Sequence, residues 1–264
     1  MTSSVTDGIV VEPHGGALHV RLDRPEKRNA LTRGMLDGLH DALDRAERES
    51  TPVMVISATG AAFCAGADIA TYVAAIDDLD ALADFGARAK SLMQRLSTSP
   101  TIVVAVVDGI AMGGGCELVL AADLVYASDR ARFGLPEITL GLIPGWEGTQ
   151  RLVRHLGPTR AKEAILRARV FSAAEMEEAG LLNSVTSPEL LPALVDEVVA
   201  DLVGRAPLAL AAAKSAIGAS YETDGRSLGS EEETRSLLAL FASADGREGV
   251  RAFVEKRAAR FEGR

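Results

Sequence analysis

Cysteine is scarce. Cys64 and Cys116 are the only two in 264 residues; they form no C-x-x-C and are too few for a disulfide framework, so a reducing compartment is expected. Histidine is scarce as well. His14, His19, His40 and His155 are scattered, none at ligand spacing from another His or a Cys, and no metal site is expected. No apolar run approaches the roughly 18 residues of a membrane span, and the opening MTSSVTDG has neither the basic nor the apolar region of a secretory signal. The expected location is therefore the cytoplasm, with no membrane partner. Basic charge is in deficit: 28 Lys and Arg stand against 37 Asp and Glu, a net −9. That excludes a general nucleic-acid binder, which needs a basic face for phosphate. GxGxxG after a strand, GxxxxGK[ST], GxSxG and HExxH are all missing, which removes the best support for nucleotide-triphosphate, serine-hydrolase and zincin chemistry.

What is present suits a globular α/β protein. The composition is 47% hydrophobic and 25% charged, and the length fits one core with an appendage. Ile9 to Glu12 and Ala17 to Leu22 read as a hairpin turning through Pro13, His14, Gly15 and Gly16. LDRPEKRNAL (22–31) is a loop, and Thr32 caps a helix bearing Leu36, Leu39 and Leu43 on one side. PVMVISA (52–58) is a buried strand ended by Gly60. TGAAFCAGADI (59–69) reads as a loop of small residues opening into a helix near Asp68. Further helical stretches reach Leu96, and Thr101 to Val107 is again a strand. This repetition of strands and helices predicts an α/β layered core. Later, Ser172 caps a helix that Gly180 ends. Apolar pairs stepping by four from Leu190 to Val203 make a broad helical face. Pro207 starts another helix, and Leu237, Leu238, Leu240 and Phe241 belong to a further one. So wide an apolar face predicts self-association.

The organising stretch is DGIAMGGGCELVLAADLVYASDRARFGLPEITLGLIPGWEGTQRL (108–152). Gly113, Gly114 and Gly115 lie between an apolar run and a helical pattern, so the chain enters a helix through a loop without side chains. The first helical turn leaves N–H groups unpaired, which suits a ligand carrying partial negative charge. Glu117 follows directly, and Glu137 comes twenty residues later. Donors beside two acids suggest chemistry on a carbonyl compound.

GGGCEL, the VYAS run, FGLPE and IPG…GTQRL together resemble the signature of the crotonase, or enoyl-CoA hydratase/isomerase, family in its order and spacing. The resemblance implies a spiral of ββα turns over 1–195 and a C-terminal helical oligomerisation region over 196–264, assembling as a homotrimer or as a hexamer built from two trimers. It implies an acyl-CoA substrate, with coenzyme A part of that substrate and no separate cofactor. By the same resemblance, Ala65 and Gly114 supply the backbone N–H groups of an oxyanion hole. Glu117 deprotonates a water that attacks Cβ, and Glu137 gives the proton to Cα. Arg24, Lys27 and Arg28 approach the CoA phosphates. Gly66, Ala67 and Asp68 meet the adenine end and pantetheine arm, and Lys256, in FVEKRAARF (253–261), reaches CoA on a neighbouring subunit. The activity implied is reversible hydration of 2-enoyl-CoA. Alternatives are a Δ3,Δ2-enoyl-CoA isomerase or an acyl-CoA hydrolase of the same family, or, in another class, a non-catalytic acyl-CoA-binding protein. One departure stands out: Trp146 and Glu147 replace residues that are commonly small. Trp146 either walls the acyl pocket or fills the core. Glu147 either faces water or, if it faces the pocket, adds a third carboxylate favouring isomerisation.

Overall fold

A computed structural model describes residues 4–205, 207–219, 238–239 and 241–260. The chain starts as an antiparallel meander of β1 (Ser4–Thr6), β2 (Ile9–His14) and β3 (Ala17–Leu22). The turn is shorter than expected. Gly15 and Gly16 alone make it, both at positive φ (59° and 85°), as a two-residue hairpin demands. Pro13 and His14 extend β2 instead. Pairing with β1 stops at Val11, so the N–H that Pro13 lacks is missing from an open edge, where it costs no ladder bond. Thr32 caps α1 (Arg33–Arg48), its Oγ1 accepting from the Met35 N–H at 3.2 Å.

Three repeats of the same motif follow. β4 (Val53–Ala58) and β5 (Ala62–Cys64) lead into α2 (Ile69–Ala74) and α3 (Leu79–Thr98). β6 (Ile102–Val107) and β7 (Ile110–Met112) lead into α4 (Gly114–Leu120). β8 (Leu124–Ser128) and β9 (Arg132–Gly134) lead into a 3-10 turn (Glu137–Leu140) and α5 (Gly148–Leu166). The first strand of each pair joins one sheet, β4, β6 and β8 lying parallel; the second joins another, with β5, β7 and β9 parallel. Each repeat therefore advances both sheets by one strand, which is a ββα spiral. Ala62–Cys64 lies inside the stretch expected to be loop, and Ile110–Met112 just ahead of the glycines. At three residues each, these strands are too short to carry a readable alternation.

The remaining elements are β10 (Phe171–Ser172), α6 (Ala173–Glu178), β11 (Ser184–Thr186), α7 (Leu191–Val203), α8 (Pro207–Ala219) and α9 (Ala244–Val254). Ser172 and Glu175 form a reciprocal capping box at the start of α6. β4 shows why its sequence is apolar throughout. Met54 and Ile56 join the core with Leu18, Val20, Leu36, Leu39 and Leu43. Val53 and Val55, on the opposite face, pack with Val104 and with Leu191, Val195 and Val199 of α7. A strand covered on both faces cannot alternate in polarity. The expected junction between 195 and 196 falls within α7. α8 is anchored by Lys214, whose Nζ donates to the Leu96 and Thr101 carbonyls at 2.7 and 2.9 Å and pairs with Asp123 at 2.6 Å. Leu237 and Leu240 lie outside the described residues. Phe241 is buried with Leu82, Leu142 and Val250. Among the described residues, no helix is long and apolar enough to cross a membrane.

Candidate active site

The spiral lays two turns side by side. Gly113, the N-cap of α4, sits at φ 52°, ψ −128°, a conformation side chains rarely adopt. Its N–H is spent on the Gly134 carbonyl at 2.9 Å. Gly114 is the first residue of α4, where N–H groups have no helical acceptor. From the other turn, Gly66 (φ 102°) presses against this one: a Cβ on it would lie 3.0 Å from the Met112 carbonyl oxygen and 3.3 Å from the Gly114 nitrogen.

The donor expected at Ala65 has to be reassigned. The Ala65 N–H already donates to the Arg28 carbonyl at 3.0 Å. Two residues on, Leu31 and Ala67 form a parallel bridge: the Leu31 N–H donates to Gly66 O at 2.8 Å, and the Asp68 N–H to Leu31 O at 2.9 Å. In such a bridge the N–H of Ala67 itself points away from Leu31. Ala67, next to the Gly66 whose missing Cβ would face the Gly114 nitrogen, is thus the residue of this turn with an amide to offer.

The two acids come from different elements. Glu117, one turn into α4, is 2% exposed. Its Oε1 accepts from the Trp146 N–H at 2.8 Å and the Gly148 N–H at 2.7 Å. Glu137 opens the 3-10 turn after β9 and is half-buried. A Cβ on Gly113 would lie 2.8 Å from Glu137 Oε1, so a side chain there would push that carboxylate aside. Both carboxylates bear on the same neighbours. The Tyr72 hydroxyl is held protonated first by burial and then by the charges of Glu117 and Glu137. Burial and the same two charges push up the Cys116 thiol. The Cys64 thiol is pushed up to about 12 by burial. Both thiols are inert packing groups here.

Other expected site residues have different surroundings. Arg24 does not reach outward: its Nη1 pairs with Asp68 Oδ2 at 3.1 Å and donates to the Ala30 carbonyl at 3.0 Å. Asp68 also caps α2, accepting from the Ala70 N–H at 3.0 Å. The pair fastens the two loops together. Lys27 and Arg28 are exposed beside them, and Lys256 is exposed just past α9. Trp146 fills the core against Gly114, its ring edge-on to Phe85 at 5.8 Å. Glu147 neither faces water nor adds a third acid. It is 3% exposed, and Arg151 holds its Oε2 through Nε at 3.0 Å and Nη2 at 2.7 Å.

By sequence Asn29 is one residue of the 22–31 loop. It is fully buried at φ 54°, accepting from the Arg24 N–H at 2.7 Å and donating to the Thr59 and Ala62 carbonyls at 2.9 and 2.8 Å. The tolerance of Asn for left-handed backbone was the signal available. α9 was also missed as a neighbour of the site. Its Gly249 lies against the Leu140 carbonyl, at the end of the turn that begins with Glu137, and a Cβ on Gly141 would meet the Asp245 carbonyl oxygen at 2.7 Å. Among the described residues, no group of three or more His, Cys, Asp or Glu is placed to hold a metal ion.

The sequence and fold have relatives throughout. The chain is 36% identical over 257 residues to the 2,3-dehydroadipyl-CoA hydratase of Escherichia coli (strain K12), covering 97% of this chain and 99% of that one. It is 34% identical over 258 residues to the crotonyl-CoA hydratase of Syntrophomonas wolfei, covering 97% and 98%. A crystal structure of an enoyl-CoA hydratase from Mycobacterium avium subsp. paratuberculosis K-10 superposes with a TM-score of 0.87 at 29% identity, over 98% of this chain and all of the other. The sequence model described as enoyl-CoA hydratase/isomerase matches residues 12–264, and the chain belongs to that family.

Proposed function

We propose that the protein is an enoyl-CoA hydratase, which adds water reversibly across the double bond of a 2-enoyl-CoA thioester to give the 3-hydroxyacyl-CoA. The observation that carries this reading is the placement of Glu117 and Glu137 about the Gly113–Gly114 turn, with the Ala67 turn pressed against it. The Ala67 and Gly114 N–H groups receive the thioester oxygen. Each such donor contributes roughly 3–4 kcal/mol to stabilising charge that develops there. With the carbonyl polarised, Cβ becomes electrophilic, and addition there shifts the C=C electron pair into an enolate that makes Cα basic. Glu117, oriented by two backbone amides, takes a proton from water as its oxygen bonds to Cβ. Glu137 delivers a proton to Cα, and the oxygen's charge returns to the carbonyl. Lys27 and Arg28 meet the CoA phosphates, and Lys256 serves the site of a neighbouring subunit. Arg24 and Asp68 act on substrate indirectly, by holding the loop that bears Ala67.

The internal pairing of Glu147 with Arg151 withdraws the one feature that would have favoured isomerisation. The reading includes a homotrimer, or a hexamer made of two trimers, supported by the exposed Ile217, Phe253 and Val254 in the C-terminal helices. It places the enzyme in the cytoplasm, where Cys64 and Cys116 stay as thiols. Mixing enzyme with crotonyl-CoA should bleach the absorbance of the conjugated thioester without releasing free CoA thiol. Glu117→Gln and Glu137→Gln should each lower kcat by about 10² or more. An unchanged rate in Glu137→Gln would reject its role, and CoA release would turn the assignment to a hydrolase.

A further inference from the structure

Glu147 lies between the two residues whose amides hold Glu117, yet its own side chain points elsewhere. We infer that Glu147 is a positioning residue: clamped by Arg151 and Gln94, it fixes the one backbone shape in which the Trp146 and Gly148 N–H groups meet on the Glu117 carboxylate. This inference rests on the reading of Glu117 as the group that activates water.

The backbone carries the first half of the case. Glu147 has φ 81°, ψ 8°, a left-handed conformation that is costly for any residue with a side chain. Amides two apart, flanking a left-handed residue, form a concavity that accepts an anion. Here both reach Oε1 of Glu117, at 2.8 and 2.7 Å. Glycine would adopt that shape freely but would not hold it.

The side chain carries the second half. Glu147 Oε2 takes two donors from Arg151, at 3.0 and 2.7 Å, and Oε1 takes Gln94 Nε2 at 2.7 Å. Arg151 Nη2 reaches on to the Met93 carbonyl at 3.1 Å and Ser97 Oγ at 3.0 Å. The turn is thereby bolted to α3 and α5 at once. The carboxylate and guanidinium are 4% and 7% exposed. A buried pair adds little net stability over apolar packing, so what this one supplies is a fixed geometry.

The test compares kcat and KM for crotonyl-CoA hydration in the wild type, Glu147→Gln, Gln94→Ala, Glu117→Gln and the Glu117→Gln/Glu147→Gln double variant. Misplacing the base should lower kcat about ten-fold or more in Glu147→Gln. The fall should be a few-fold in Gln94→Ala, with KM nearly unchanged in both. In the Glu117→Gln background, Glu147→Gln should add no further loss, because both act through one group. A folded variant with wild-type kcat, a KM that rises in step, or full additivity in the double variant would overturn the inference. Should Glu147→Gln fail to fold, Gln94→Ala decides alone, since it removes a single bond at the rim of the clamp. Full activity in Glu117→Gln would instead overturn the parent reading, so the two failures are distinct.

Discussion

Replacing Gly114 by alanine strikes the donor turn where it is most crowded. A Cβ there would lie 2.5 Å from Trp146 Cε3 and 2.8 Å from Cη2, with Cζ3 nearer still. Carbon atoms settle at about 3.5–4.0 Å, so something must yield by at least about 1 Å. The indole cannot easily do so: it is 2% exposed and packed edge-on to Phe85. The start of α4 moves instead and takes the Gly114 N–H with it. A displacement of that size at a reacting group costs on the order of 10² in rate, and the overpacking costs about 1–3 kcal/mol in stability. The assay is the bleaching of crotonyl-CoA at saturating substrate, beside a thermal melt. The expected result is kcat down by about 10², with KM little changed and a melting midpoint lower by several degrees. Trp146→Leu, introduced with Gly114→Ala, opens the space again and should restore part of both. Full kcat in a destabilised Gly114→Ala protein would refute the donor role, and an unchanged midpoint would refute the packing.

Two further outcomes follow from buried charge. Lys214→Met leaves Asp123 and two carbonyls facing each other without their cation, and urea unfolding should register a loss of about 3–5 kcal/mol, with kcat of the folded enzyme unchanged; a loss below about 1 kcal/mol would show that α8 is not anchored there. His40 is buried, with its Nδ1 on the Arg95 guanidinium at 3.1 Å and its Nε2 on the Arg88 carbonyl at 3.2 Å; since guanidinium only donates, the proton sits on Nε2. Burial first, with the charges of Arg88 and Arg95 behind it and the Arg88 carbonyl pulling the other way, holds this imidazole below its ordinary 6.5. The unfolded chain takes up that proton near 6.5 while the folded chain does not, so the contribution is full above 6.5 and is lost as pH falls below it. Urea midpoints at about pH 7.5 and about pH 5.5 should differ, and His40→Gln should narrow the gap.

Much of the architecture was legible because it is written locally. Thr32 three residues before Met35, Ser172 three before Glu175 and Gly60 after an apolar run are each signals spanning a handful of residues. Motif order singled out Glu117 and Glu137, and the fold brings both to bear on Tyr72 and Cys116. What escaped depends on contacts between distant residues or on a single step of register. Arg24 meets Asp68 across 44 positions, and nothing near either residue announces the other, so a basic loop looked like a phosphate ligand. Ala65 and Ala67 are the same residue type two apart, and only distant partners tell them apart: the Arg28 carbonyl takes the Ala65 N–H, while the bridge to Leu31 leaves that of Ala67 pointing away. Glu147 in a hydrophilic tetrapeptide reads as a surface residue until Arg151 and Gln94 close over it.

The close seat of α9 on the turn that begins with Glu137 has a consequence for how the protein is made. Ala244–Val254 leaves the ribosome long after Glu137 does, yet it packs against the end of that residue's turn, at Leu140 and Gly141. A nascent chain can wind its spiral strand by strand and still leave the turn that begins with Glu137 without its last packing partner. Catalytic competence should therefore arrive late and abruptly, when the last long helix docks, so that incomplete chains stay silent toward the thioester.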